Sequence, residues 1–272
     1  MKKISKNTKE DYSKMKVNVP TAKNTLLEKI LERVNSDEEV KILWRIINVN
    51  AIDRYGITDH GYVHFQIVAN IALRLMRILN KNGVKMSVVR DFKLSYEHAE
   101  VVVFLTSLFH DLGITINRKK HEEVGLFLAD KIINKILDFL PAEERIIISS
   151  EVLHAIYNHG VYGSPKTIEA GIIRVADALD MSKGRSRIPY EAGRFDIHSI
   201  SAAAVDHVEI REGKDKPIRI KILMNNSSGI FQVDELLKRK LIGSGIEKYV
   251  EIKAHVSGKK EKKLIQDLVI KG

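Results

Sequence analysis

The chain has 272 residues, of which 44% are apolar and 29% charged; that balance excludes a disordered polymer and suffices for one full core plus a small second module. It contains no cysteine, so disulfides and thiolate metal sites are excluded and any metal must sit on nitrogen and oxygen ligands. The formal net charge is +10. Lysines gather near both ends, at Lys2, Lys3, Lys6, Lys9, Lys14 and Lys16 and at Lys259, Lys260, Lys262 and Lys263. Such a surface suits phosphate-bearing partners, nucleotides and nucleic acid among them, and equally suits a plain solvated face. The basic N-terminus has no apolar stretch behind it and no run reaches the length of a membrane span, so the expectation is a cytoplasmic protein with no membrane partner.

In chain order, residues 1–20 read as a basic arm. Thr21 is placed to cap a helix carrying Leu26, Leu27, Ile30, Leu31 and Val34, and Ser36 with Glu39 reads as a capping box for a helix through Val40, Leu43, Trp44 and Ile47. Thr58 or Asp59 is expected to open a long helix that ends at Gly83. A strongly apolar helix, EHAEVVVFLTSLFHDLG, is expected to end at Gly113, and HEEVGLFLADKIINKILDFL to follow as one helix. Pro141 starts the next helix, Gly160 is placed to stop it, and a further helix spans about 167–181. After about residue 200 the pattern changes. AVDHVEIRE, PIRIKILM, KYVEIKAHV and KLIQDLVI read as strands, the first two as a hairpin across Gly213 to Lys216, and VDELLKRKLI reads as a helix. The expected fold is mainly α: a helical domain over 21–198, then a small α+β domain over 199–272.

The adjacent pair His110–Asp111 carries the most information. It ends the apolar run VVVFLTSLFHDLG, where burying an imidazole and a carboxylate is costly without partners. A divalent cation resolves that cost, since both groups are good ligands for Mn, Fe, Co, Ni or Zn. Asp177 in RVADALD and His64 among Val63, Phe65 and Ile67 repeat the theme. Read alone, each is also compatible with a helix-end polar residue.

Taken in order, His64 in HFQIVA, His110–Asp111 in LFHDLG and Asp177 in RVADALD resemble the H…HD…D pattern of the HD-domain metal-dependent phosphohydrolases, over about residues 55–185. The resemblance implies a helical bundle in which these four residues hold a divalent metal, with His110 and Asp111 at the catalytic centre. HEEVG at 121–125 is similar to the segment after the HD pair in the two-metal, HD-GYP-type branch, and VLHAIYNHG offers His154 and His159. By that resemblance Asp111 bridges two ions, with His121, His154 and His159 completing the second. The chain departs from HD-GYP proteins in lacking two adjacent histidines and the GYP signature. His154 and His159 are five apart, which does not stack them on one helix face, so either the helix ends between them or only one is a ligand. His60 reads as a helix-start residue beside Asp59, and His98, His198, His207 and His255 as surface residues.

The implied reaction is hydrolysis of a phosphomonoester or phosphodiester, on a nucleotide-like molecule, by metal-activated water. One or two ions are expected, transition metals or Mg. Arg118, Lys183, Arg185 and Arg187 are candidate phosphate-binding residues, each equally readable as part of a solvated basic loop. Two alternatives stand beside this reading: a di-iron oxygenase on the same fold, and a metal-holding module that binds nucleotide or RNA without turnover. A homo-oligomer is expected, with the C-terminal domain serving dimerisation, substrate selection or regulation.

Overall fold

The computed structural model describes residues 12–181, 197–257 and 267–271. Most of the expected N-terminal arm, and Lys183, Arg185 and Arg187, lie outside the described residues. The protein is mainly α, and among the described residues nine helices of a bundle are followed by a small α+β region. The bundle helices are α1 (Thr25–Ser36), α2 (Glu38–Asn48), α3 (Tyr62–Lys81), α4 (Ser87–Phe92), α5 (Tyr96–Phe109), α6 (His121–Val124), α7 (Leu126–Ile136), α8 (Ala142–Asn158) and α9 (Ile168–Leu179). A π-helical turn, Val49–Tyr55, continues α2, and a 3-10 turn, Leu112–Thr115, follows α5. Among the described residues no helix is long and apolar enough to cross a membrane.

Helix α5 is the centre of the bundle. Every residue from Ala99 to Phe109 is buried, as a helix that is apolar all round must be. Its one buried carboxylate there, Glu100, accepts from Arg77 Nε at 2.7 Å and Asn24 Nδ2 at 2.9 Å, which offsets the cost of burial. Helices α3, α8 and α9 pack around it.

Several expected boundaries shift for local reasons. Asn24, not Thr21, caps α1, its side chain accepting from Leu27 N. Asp37, not Ser36, caps α2, while the Ser36 hydroxyl turns back to Arg33 O. Helix α3 begins after Gly61, because the Asp59 carboxylate accepts from Gly61 N at 2.7 Å and holds the chain in a turn before it. The helix expected from His121 onward is broken at Gly125 into α6 and α7, and α4 was not anticipated. The arm also ends earlier than expected. Met15, Val17 and Val19 are buried while Lys14, Lys16 and Asn18 face out, the two-residue period of an extended segment. Asn35 fixes that segment by pairing with both Val17 N and Val17 O at 2.9 Å.

After the bundle come α10 (Ile197–Ala203) and strands β1 (Val205–Glu212), β2 (Ile218–Met224), β3 (Val250–Val256) and β4 (Asp267–Lys271). The sheet order is β1-β2-β3-β4. The β1–β2 hairpin is antiparallel with Ile210 opposite Ile220; β2–β3 is parallel with Ile220 opposite Ile252; β3–β4 is antiparallel. A parallel pair needs a crossover, and here it holds a π-helical segment, Gln232–Lys238, continued by α11 (Arg239–Leu241). The sheet packs on α3 and the crossover on α9, and Ile220, Ile222, Val250 and Ile252 join one apolar cluster with the bundle core. Gly171 permits the close approach: a Cβ there would lie 2.1 Å from Ser244 O. The crossover therefore reaches the end of the bundle where His110 and Asp111 lie.

Candidate metal centre

Five segments supply the site. His64 stands in the first turn of α3; His110 caps α5 and Asp111 follows as the helix tightens into its 3-10 turn; His121 opens α6; His159 caps α8; Asp177 lies in the last turn of α9. The return of the chain from Asp111 to His121 depends on two glycines. A Cβ at Gly113 would fall 2.0 Å from His121 O, and one at Gly125 2.7 Å from Gly113 N, so no larger residue fits either position while His121 reaches the HD pair.

The donor atoms form two groups that share Asp111. In the first, His64 Nε2 lies 3.3 Å from His110 Nε2, 3.5 Å from Asp177 Oδ1 and 3.8 Å from Asp111 Oδ2. His110 Nε2 lies 3.4 Å from Asp111 Oδ2 and 3.8 Å from Asp177 Oδ1. In the second, Asp111 Oδ1 lies 3.0 Å from His121 Nε2 and 3.8 Å from His159 Nε2, and the two imidazole nitrogens are 3.3 Å apart. His64, His110, Asp111, His121 and His159 are all buried, with His110 wholly so.

The far side of each ring fixes its tautomer. His110 Nδ1 donates to Ser107 O at 3.0 Å, His159 Nδ1 to Ile156 O at 2.6 Å, and His121 Nδ1 to Arg118 O at 3.1 Å, in each case the carbonyl three residues earlier. His64 Nδ1 donates to Asp180 Oδ2 at 2.6 Å. With Nδ1 protonated, each Nε2 carries a lone pair, so the 3.3 Å approaches set lone pair against lone pair. A cation between them removes that repulsion, and an outer N–H held by a carbonyl or carboxylate is how metal-bound histidines are oriented. Ligands about 2.0–2.1 Å from one ion stand about 3.0–3.4 Å apart, close to what both groups show. Among the described residues three sets meet the distance requirement for holding an ion: His64, His110 and Asp177; His110, Asp111 and His159; and His121, Glu122 and His159. The residues present thus fit divalent metal.

Burial keeps His110 and His159 in ligand form. Loss of solvation holds His110 below the ordinary imidazole range against the opposing pull of Asp111 and Asp177. Burial, the largest cause, holds His159 well below it. For Asp111, burial acts to raise the carboxyl, but His110, His121 and His60 together hold it well below the usual range. Neutral imidazoles beside an ionised carboxylate are the forms that bind metal.

Not every expected residue joins the cluster. His154 faces away, its Nε2 accepting from Lys166 N at 3.1 Å and its Nδ1 lying 3.3 Å from Asn158 Nδ2. Helix α8 ends at Asn158, so His159 alone turns into the site and the five-residue spacing is resolved in favour of one histidine. Arg118 does line the cavity, its Nη1 3.0 Å from His121 Nδ1. Three residues join that the sequence reading did not place there. His60 is buried with its Nε2 4.0 Å from Asp111 Oδ2, and its Nδ1 donates to Thr58 O at 2.6 Å. Asp180 orients His64; its signal was in RVADALD, where it stands three residues after Asp177. Lys240, from α11, lies 2.5 Å from Asp177 Oδ2. No local signal marks it. All three line the same cavity of about 390 Å³ with both halves of the centre.

The HD domain model matches residues 61–182, the stretch that contains every one of the clustered donors except His60 and Lys240. The chain carries an HD domain over those residues. Across nearly its whole length it is similar to the uncharacterized protein MJ1020 of Methanocaldococcus jannaschii, with 42% identity over 244 residues, 89% of this chain and 93% of that one. No solved structure matches the chain.

Proposed function

We propose that the protein is a metal-dependent phosphohydrolase that would hold two divalent ions, one at each of the two donor groups that share Asp111, and that cleaves a phosphate ester of a nucleotide-like molecule. The observation that supports this best is the division of one carboxylate. Asp111 Oδ2 faces His64 and His110, and Oδ1 faces His121 and His159. His64, His110, Asp111 and Asp177 would hold the first ion, and Asp111, His121 and His159 the second. Ions held there supply acidified water and positive charge to offset that of the phosphoryl oxygens.

The chain's own residues do the rest. The Nδ1 partners lock each imidazole so that no ring can rotate without losing its hydrogen bond. Arg118 stands at the second group, where a guanidinium can grip phosphate through several N–H donors. The buried floor limits water to what enters through the cavity. The pattern of two shared-carboxylate groups supports the two-metal arrangement of the HD-GYP-like branch without its signature residues.

The test is metal analysis followed by a phosphate-release screen over nucleotides, p-nitrophenyl phosphate and bis-p-nitrophenyl phosphate. Metal-dependent phosphate or nitrophenol release is expected. Oxygen consumption without ester cleavage would overturn the reading in favour of an iron oxygenase, and nucleotide binding without turnover in favour of a binding module.

A further inference from the structure

The C-terminal crossover is built into the wall of the metal centre. Gln232, Leu236 and Lys240 all line the cavity. They recur every four residues along one helical segment, so a single face of it is turned to the site. That face is held in place from the bundle. The buried guanidinium of Arg174 on α9 donates to Arg239 O at 3.3 Å, to Val161 O at 2.8 Å and to Gly163 O. It thereby ties the residue before Lys240 to the loop that follows His159.

Lys240 is the charged member of this face. Its ammonium meets Asp177 Oδ2 at 2.5 Å, and each side chain is 13% exposed. Asp177 Oδ1 faces His64 Nε2 and His110 Nε2 instead. One carboxylate thus separates the ammonium from the first donor group. Arg118 stands in the same relation to the second group, beside His121. Each donor group therefore has one cation at its edge, and both cations line the same cavity.

We infer that Lys240 is a substrate-binding residue that donates to a phosphate oxygen at the first metal group, and that the C-terminal module is present at the site to supply it. The inference rests on the phosphohydrolase reading for its choice of anion. An ammonium carries three N–H donors, so Lys240 can keep one on Asp177 and offer the others to phosphate. A lysine is a compact point charge that suits a phosphoryl oxygen without demanding planar geometry. Leu236, one turn earlier, offers an apolar surface to the organic part of an ester, away from the ammonium.

The test uses the full chain loaded with Mn²⁺, inorganic phosphate as the probe in calorimetry, and p-nitrophenyl phosphate as the reporter ester. Lys240→Ala is expected to keep the wild-type metal count, weaken phosphate binding at least tenfold and raise KM more than it lowers kcat. Lys240→Arg is expected to recover part of the phosphate affinity. Lys240→Met keeps the aliphatic stem and serves if the alanine variant does not fold. Phosphate affinity within twofold of wild type in a metal-loaded neutral variant would overturn the inference. So would loss of metal from that variant, which would make Lys240 a partner of Asp177 alone, and so would a metal-loaded wild type that binds no phosphate. A variant that loses phosphate binding while the wild type cleaves no ester would leave the Lys240 assignment standing and remove the hydrolase reading.

Discussion

On the bundle side of the cavity the imidazoles of His110, His121 and His159 are held by carbonyls close in sequence, with His64 held instead by the distant Asp180, whereas on the C-terminal side the side chains are held by contacts between distant segments. His110, His121 and His159 each lean on the carbonyl three residues back, so a helix end and a histidine together suffice to aim a ring. Lys240 meets Asp177 across 63 residues of sequence, and the segment that carries it is seated through Gly171 and Arg174. The first arrangement aims the rings of the candidate metal centre by local geometry. The second depends on the packing of sheet and crossover on the bundle.

Changes at the two sides should therefore read differently. The largest effect is expected from Asp180→Asn, which weakens the outer partner of His64. Metal affinity measured by competition with a chelator should fall about 10–100-fold, the usual cost of losing such a partner, with the fold intact. An unchanged affinity would mean that His64 is oriented by packing alone. Gly171→Ala acts on the other side by forcing a methyl against Ser244 O. It should cost about 1–3 kcal/mol of stability, as overpacking does, and raise KM for a reporter ester while metal stoichiometry stays at the wild-type value. A drop in metal content would erase the distinction between the two sides.

The half-buried carboxylate of Glu151 provides a contrast within the bundle. Burial, with Glu169 and Asp91 adding their charge, pushes the Glu151 carboxyl up to about 7. Its folded value lies above its unfolded value, so the folded protein binds the extra proton between about 4.5 and 7, and stability falls as pH rises through that window. Glu151→Gln should then melt at a higher temperature than wild type at pH 8 and at the same temperature at pH 4. An equal difference at both values would contradict this. The smallest effect is expected at His154, whose ring contacts Lys166 N and Asn158 rather than the centre. His154→Ala should leave the metal count, read by mass spectrometry, unchanged.

The same contrast explains what the sequence disclosed. The mainly α fold with a late sheet was legible because periodicity changes near residue 200. His64, His110, Asp111 and Asp177 stood out because each interrupts an apolar helix, and the structure brings their donor atoms together. His121 and His159, with His154, entered only through the resemblance to the two-metal branch. Spacing alone could not choose between His154 and His159, since the choice turns on where α8 stops. His60 was passed over as a helix-start residue, although Thr58 O holds its ring with Nε2 4.0 Å from Asp111 Oδ2. Asp180 lay in plain view in the same motif as Asp177. Lys240 lay in an ordinary run of basic residues, and only the parallel β2–β3 crossover brings it to the bundle.

The central claim is that Asp111 joins two metal positions into one centre. The most direct measurement is the number of divalent ions bound per chain in wild type and in Asp111→Ala, with circular dichroism confirming the fold of both. Two ions are expected in the wild type and a loss from both positions in the variant. Retention of the wild-type stoichiometry by Asp111→Ala would contradict the account.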